Sequence, residues 1–110
     1  MRTALTPISA QKLNRFNKLF PNGVFNHSIV SPSNREKWKV ELWQFRAFFS
    51  RRLDVLEQVF RFPGGDIRSL AQSKKPFLQG SAMEREWVSQ FRLLSKMVDS
   101  IDRALDSLSD

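Results

Sequence analysis

The sequence predicts an all-α fold: an antiparallel hairpin of two long helices, with a shorter N-terminal helix packed across it in a three-helix arrangement. Three observations carry this expectation. Trp87, Phe91, Leu94, Val98, Ile101, Leu105 and Leu108 recur at alternating spacings of four and three, which draws one apolar seam along one helix. Trp38, Leu42, Phe45 and Phe49 repeat that spacing, and Leu53, Leu56 and Phe60 resume it after one extra residue. The end charges supply the direction. Asp99, Asp102, Asp106 and Asp110 crowd the C-terminal end of the last helix, and Arg35, Lys37 and Lys39 open the second. Each set opposes its own helix dipole, and an antiparallel pairing lets each offset the other. At the far end Glu84 and Glu86 are expected beside Arg51, Arg52 or Arg61.

Each element has a local cause. Thr6-Pro7 reads as an N-cap with proline at the first helical position, opening a helix to about Phe20. Leu13, Phe16, Leu19 and Phe20 line one of its faces, and Lys12, Arg15 and Lys18 another. Pro21-Asn22-Gly23 stops it, and residues 24–30 read as loop. Ser33 and Glu36 stand at capping-box spacing before the second helix, which Pro63-Gly64-Gly65 ends. Asp66 is placed to cap a turn of helix through Leu70 and Ala71. Ser81 and Glu84 form a second capping box ahead of the last helix. The expected organisation is one domain over 1–110, with helices at about 7–20, 34–62 and 82–108 and a connector at 63–81.

Composition narrows the function. The chain has 110 residues and a hydrophobic fraction of 41%, enough for one core and too little for a core plus a catalytic lobe. Ten Phe and three Trp, with no Tyr, make the large core pieces wholly apolar. With no cysteine there is neither a disulfide framework nor thiolate chemistry. No apolar run approaches the ~20 residues needed to cross a bilayer. Met1–Pro7 lacks the apolar stretch of a secretory signal, and the expected location is cytoplasmic.

The residues of common catalytic sites are present only as fragments. His27 is the single histidine, so a zinc site would need carboxylates that do not cluster near it in sequence. Asn26-His27-Ser28 sets a serine beside the histidine, but loop neighbours seldom face each other productively. The acidic residues of 99–110 read as a solvated stripe. Phe62-Pro63-Gly64-Gly65-Asp66 lacks the Gly-Lys-Ser/Thr ending of a phosphate loop. The expectation is a non-enzymatic protein without metal or cofactor.

What remains is surface. The formal net charge is +7, and it is uneven: residues 1–80 hold 14 Lys+Arg against 5 Asp+Glu, residues 81–110 hold 4 against 6. With Arg35, Lys37, Lys39 and Arg61 assigned to intramolecular acids, the basic excess falls on Lys12, Arg15, Lys18, Arg46, Arg51, Arg52, Arg68, Lys74 and Lys75. Arginine forks suit phosphate oxygens, so the expected partner is nucleic acid, or else an acidic protein surface met by an adaptor or small inhibitor. Trp43, Phe48 and Phe62, with Val55 and Val59, lie beside the seam of the second helix. A two-helix hairpin cannot cover so wide a face, which leaves it to the first helix and the Phe77-Leu78 connector, or to a homo- or hetero-oligomeric partner. A third expectation is membrane-surface association through Phe16, Leu19 and Phe20 of the first helix.

Overall fold

A computed structural model describes residues 8–59, 67–72 and 81–109 of the chain. The described elements are helical without exception. They are α1 (Ala10–Leu19), two 3₁₀ turns (Pro21–Gly23 and His27–Ile29), α2 (Arg35–Val59), α3 (Ile67–Gln72) and α4 (Ala82–Leu108). The long helices α2 and α4 pack against each other, with α1 and α3 across them.

The seam residues form the interface. Leu42, Phe45, Phe49, Leu53 and Leu56 of α2 are buried, as are Phe91, Leu94, Val98, Ile101, Leu105 and Leu108 of α4. Val88, Met97 and Ala104 join them, so the buried stripe of α4 is wider than a two-helix seam requires. Met97 adjoins Leu13, Phe16 and Phe20 of the first helix, and Ala104 adjoins Phe25 in the loop that follows it. Trp87 and Trp38, which begin the two seams, are only half-buried at the ends of the interface.

The antiparallel direction is fixed by contacts at three levels. Arg46, midway along α2, pairs with Asp102. The C-terminal part of α2 meets α3 through Glu57 and Arg68, and Arg68 in turn lies over Phe91 in the first half of α4. The turn before α2 reaches the other end of α4, where His27 meets Ser107. Asp102 was expected beside Arg35, Lys37 and Lys39, and its partner is instead two turns farther along. Counting outward from Arg46 and Asp102 brings Leu108 level with Val40, so the first turn of α2 extends past the end of α4. Lys39 pairs with Glu36 on its own helix. Glu84 and Glu86 bond to Ser81 and Gln90 on α4, away from the α2 arginines; Arg61 lies outside the described residues.

Helix α1 is joined to α2 by aromatic packing. The Phe16 ring stacks on Phe20 at 4.5 Å and meets Phe45 and Phe49 edge-on at 5.8 and 5.4 Å. Such pairs contribute roughly 0.5–1.5 kcal/mol each beyond the area they bury. Phe16, Leu19 and Phe20 are therefore core residues, which overturns the membrane-surface expectation: the apolar face needed for a bilayer is already inside the protein. The helix starts at Ala10, capped by Ser9, whose hydroxyl accepts from the Lys12 amide. That start is three residues later than expected, because an extended cap residue with its side chain on the first turn cannot itself be helical. Thr6-Pro7 lies outside the described residues.

The chain then turns sharply. Asn22 and Gly23 both adopt positive φ, 58° and 81°, which these two residue types tolerate best. The Asn26 amide closes the turn on the Leu19 carbonyl at 2.8 Å. Asn34 secures the entry to α2: its Oδ1 accepts from the Ser31 amide and its Nδ2 donates to the Ile29 carbonyl. The helix thus begins after Asn34, one residue beyond the Ser33 cap that was expected. The Ser81–Glu84 capping box is formed reciprocally at the start of α4. Helix α3 inserts the fully buried Ile67, and Arg92 of α4 donates to the Leu70 and Ala71 carbonyls at its C-terminal end. The expected Pro63-Gly64-Gly65 stop and Asp66 cap lie outside the described residues.

Phe91→Ala removes a fully buried ring and should cost about 3–5 kcal/mol in urea unfolding. Leu93→Ala, on the exposed side of the same helix, should shift stability by no more than ~0.5 kcal/mol. Equal losses at the two positions would mean that this seam is not the core.

Candidate functional site

Among the described residues the basic side chains do not merge into one patch. Three of them are held by acids. Arg46 donates to Asp102 at 2.5 Å, and that hydrogen bond raises its pKa further above the usual arginine value, outweighing desolvation. Arg68 makes a two-pronged pair with Glu57 at 3.0 and 2.9 Å. Arg15 pairs with Glu41, yet more than half of its side chain remains exposed. Lys18 is exposed on the outer side of α1, and Lys74 and Lys75 lie outside the described residues.

One group does come together, where α1 crosses the middle of α2. The Lys12 ammonium sits 4.5 Å from the Phe48 ring centre, and the Arg52 guanidinium approaches the same ring at 5.9 Å. Phe48 is thereby half-buried beneath two cations, which accounts for an aromatic residue outside the seam. Arg51 is exposed next along α2, and Arg15 lies one turn along α1 from Lys12. An open cleft of about 270 Å³ adjoins the group, lined by Ser9, Gln11, Lys12, Arg15, Glu41, Gln44 and Phe45. Glu41 is the single acid among the described lining residues. Helical geometry explains the arrangement: Lys12 and Arg15 share the edge of α1 turned to α2, while Leu13 and Asn17 share the edge turned to α4.

Arg52 is unusual within the group. Its Nε is buried and has no hydrogen-bond partner, and desolvation pushes its pKa down from the usual arginine value. Because folding disfavours the charged form, the charge opposes stability at every pH below that range. The sequence offers no signal for this, since burial of one guanidinium among several depends on where α1 crosses.

Trp43 is 56% exposed and Val40 equally so, one turn apart on α2, with the Arg46 guanidinium 5.7 Å from the Trp43 ring. Phe62, grouped with Trp43 from sequence, lies outside the described residues. Val55 is half-buried.

His27 does not bond within its own loop. Its Nε2 lies 2.7 Å from Ser107 Oγ, and that hydroxyl donates to the Ala104 carbonyl, so His27 supplies the proton from Nε2. Its ring also packs edge-on against Phe25 at 5.1 Å. The histidine fastens the loop to the end of α4. Among the described residues no three His, Asp or Glu side chains are grouped to hold a metal ion. No described helix is long and apolar enough to cross a membrane.

The chain matches no protein-family model, no curated sequence and no solved structure.

Two substitutions check these assignments. Arg52→Met keeps the stem and removes the buried unpaired donor, so stability in urea at neutral pH should hold or rise. A clear loss would show that the guanidinium's contact with the Phe48 ring outweighs its unpaired donor. His27→Ala should cost less than about 1.5 kcal/mol, as expected for one exposed hydrogen bond, and should speed amide exchange in the last turn of α4.

Proposed function

We propose that this protein is a non-enzymatic, cytoplasmic helical accessory protein that binds nucleic acid through its phosphates, within a larger nucleoprotein assembly. The observation that carries this reading is the convergence of Lys12, Arg15 and Arg52, with Arg51 adjoining, where α1 crosses α2. Among the described lining residues a single acid, Glu41, stands against them. A half-buried arginine whose Nε lacks a hydrogen-bond partner is the kind of feature that function retains. Phosphate oxygens would accept from the Lys12 ammonium and from the arginine forks beside it. The wider charge of the chain, +7, would steer a polyanion towards it from any direction. No side-chain pattern for reading base edges accompanies the patch, so binding of this kind would be indifferent to sequence.

Fluorescence anisotropy with mixed-sequence single-stranded and duplex oligonucleotides, at salt from about 50 to 200 mM, tests the reading. Lys12→Ala, Arg51→Ala and Arg52→Ala should each weaken binding on every sequence and make the salt slope shallower by about 0.7–0.9. Arg46→Ala and Arg68→Ala, whose partners are Asp102 and Glu57, should leave the slope nearly unchanged. If nothing binds at the lowest salt, the reading fails.

The exposed Trp43 and Val40 favour a second reading, an adaptor that docks on a larger protein. Capture from a lysate before and after nuclease treatment separates the two. A partner retained after nuclease and lost with Trp43→Ala supports the adaptor.

A further inference from the structure

The outward side of α2 carries a stripe whose spacing reads the same in both directions. Val40, Trp43, Ala47, Arg51 and Asp54 are all exposed, and the exposed Glu36 and Gln58 extend the stripe at its two ends. At about 100° per residue these positions share the side of α2 opposite the buried Phe49. From Glu36 to Gln58 the steps are four, three, four, four, three and four residues. The spacing is therefore palindromic about Ala47, the smallest side chain in the stripe.

The chemistry of the stripe is self-complementary as well. Trp43 is 56% exposed, with the Arg46 guanidinium of its own helix 5.7 Å from the ring centre. Arg51 and Asp54 stand one turn apart, yet among the described residues they pair neither with each other nor with another charge. An exposed indole on one side of Ala47 thus answers an unpaired guanidinium on the other. An isologous contact requires a surface that is its own complement, and matched spacing with complementary halves meets that requirement.

We infer that this protein pairs with a second copy of itself through antiparallel α2 helices, with the two-fold axis at Ala47. Trp43 of each copy then stands level with Arg51 of the other, Val40 with Asp54, and Glu36 with Gln58. Ala47 meets Ala47, and with only methyl groups at the axis the helices can close to about 8 Å, the near end of ordinary helix packing. Each indole receives a guanidinium of the second copy on the face that Arg46 leaves open, twice over by symmetry. The Asp54 carboxylate, one turn beyond Arg51, is placed to accept from the indole N–H. Nothing in this pairing needs nucleic acid. The phosphate-binding group lies on the α1 side of α2, and a stacked guanidinium keeps its N–H edges available, so Arg51 serves both uses. The axis is perpendicular to both helices, which brings the two basic groups to the same face of the pair. A single pair of helices about 33 Å long makes an interface at the small end of the specific range, so a dissociation constant in the micromolar range is expected.

Sedimentation equilibrium over about 1 µM to about 1 mM, without nucleic acid, should show a monomer converting to a dimer. Ala47→Glu, which sets two like charges together on the axis, should keep the protein monomeric throughout. In dilute solution its helical circular dichroism and urea midpoint should match the parent, since Ala47 is outside the core. Trp43→Ala should weaken the dimer at least about tenfold. Cross-linking reads the register, because the chain has no cysteine of its own. With oxidised glutathione, Ala47→Cys should link to itself, and Val40→Cys should link to Asp54→Cys in a mixture of the two proteins. Val40→Cys alone should not, since its two copies lie about 21 Å apart along the pair. A monomer at about 1 mM overturns the inference, as does a dimer that survives Ala47→Glu or cross-links in another pattern. If the protein stays monomeric and Trp43 instead holds a larger protein from a lysate, the face belongs to that partner and the inference fails equally.

Discussion

Phe49 is the point on which the other contacts turn. Its ring is completely buried, edge-on to Phe16 of α1 and to Phe48, and stacked beside Phe45. It also marks the place where the apolar repeat of α2 slips by one residue, since Leu53 follows it after four positions rather than three. A strict heptad would keep every apolar residue facing one neighbour. The slip rotates the stripe, so the first part of α2 has side chains for both α4 and α1. On α4 Met97, beside Leu13 and Phe16, is the matching half of the same arrangement.

Placing α1 across the hairpin at Phe16 divides the molecule's surface chemistry. One edge of α1 brings Lys12 and Arg15 to the cations of α2, and the other forms the wall of an apolar groove on α4. The same crossing shelters Phe48 beneath Lys12 and strips water from the Nε of Arg52. Stability and exposed chemistry are therefore coupled through one aromatic contact. Excess charge elsewhere is tamed locally: Asp102, Glu57 and Glu36 each hold a base. At partly exposed positions such pairs contribute little to stability, and their main effect is to take bases out of the available surface.

The fold was legible because its causes are periodic and local. Heptad spacing, the Ser81–Glu84 box and the Pro21-Asn22-Gly23 stop each act over a few residues, and the structure contains the corresponding long helices, cap and turn. The antiparallel direction also followed from the end charges, although their pairing did not. Opposed charges specify which ends lie near each other, whereas the register depends on how the rings of α2 fill spaces on α4. That is why Asp102 meets Arg46, two turns beyond Lys39.

The sequence by itself determined the helices, their seams and their antiparallel pairing, since backbone propensity, capping and apolar periodicity all reside in short stretches of chain. It also determined the basic excess. Only the tertiary structure decided which bases converge, because Lys12 and Arg52 are 40 positions apart and meet solely through the crossing of α1 at Phe16. It likewise decided that His27 reaches Ser107 and that Phe16, Leu19 and Phe20 face inward. Contacts between segments distant along the chain arise from mutual packing, and no local pattern encodes the partner that a side chain finds there.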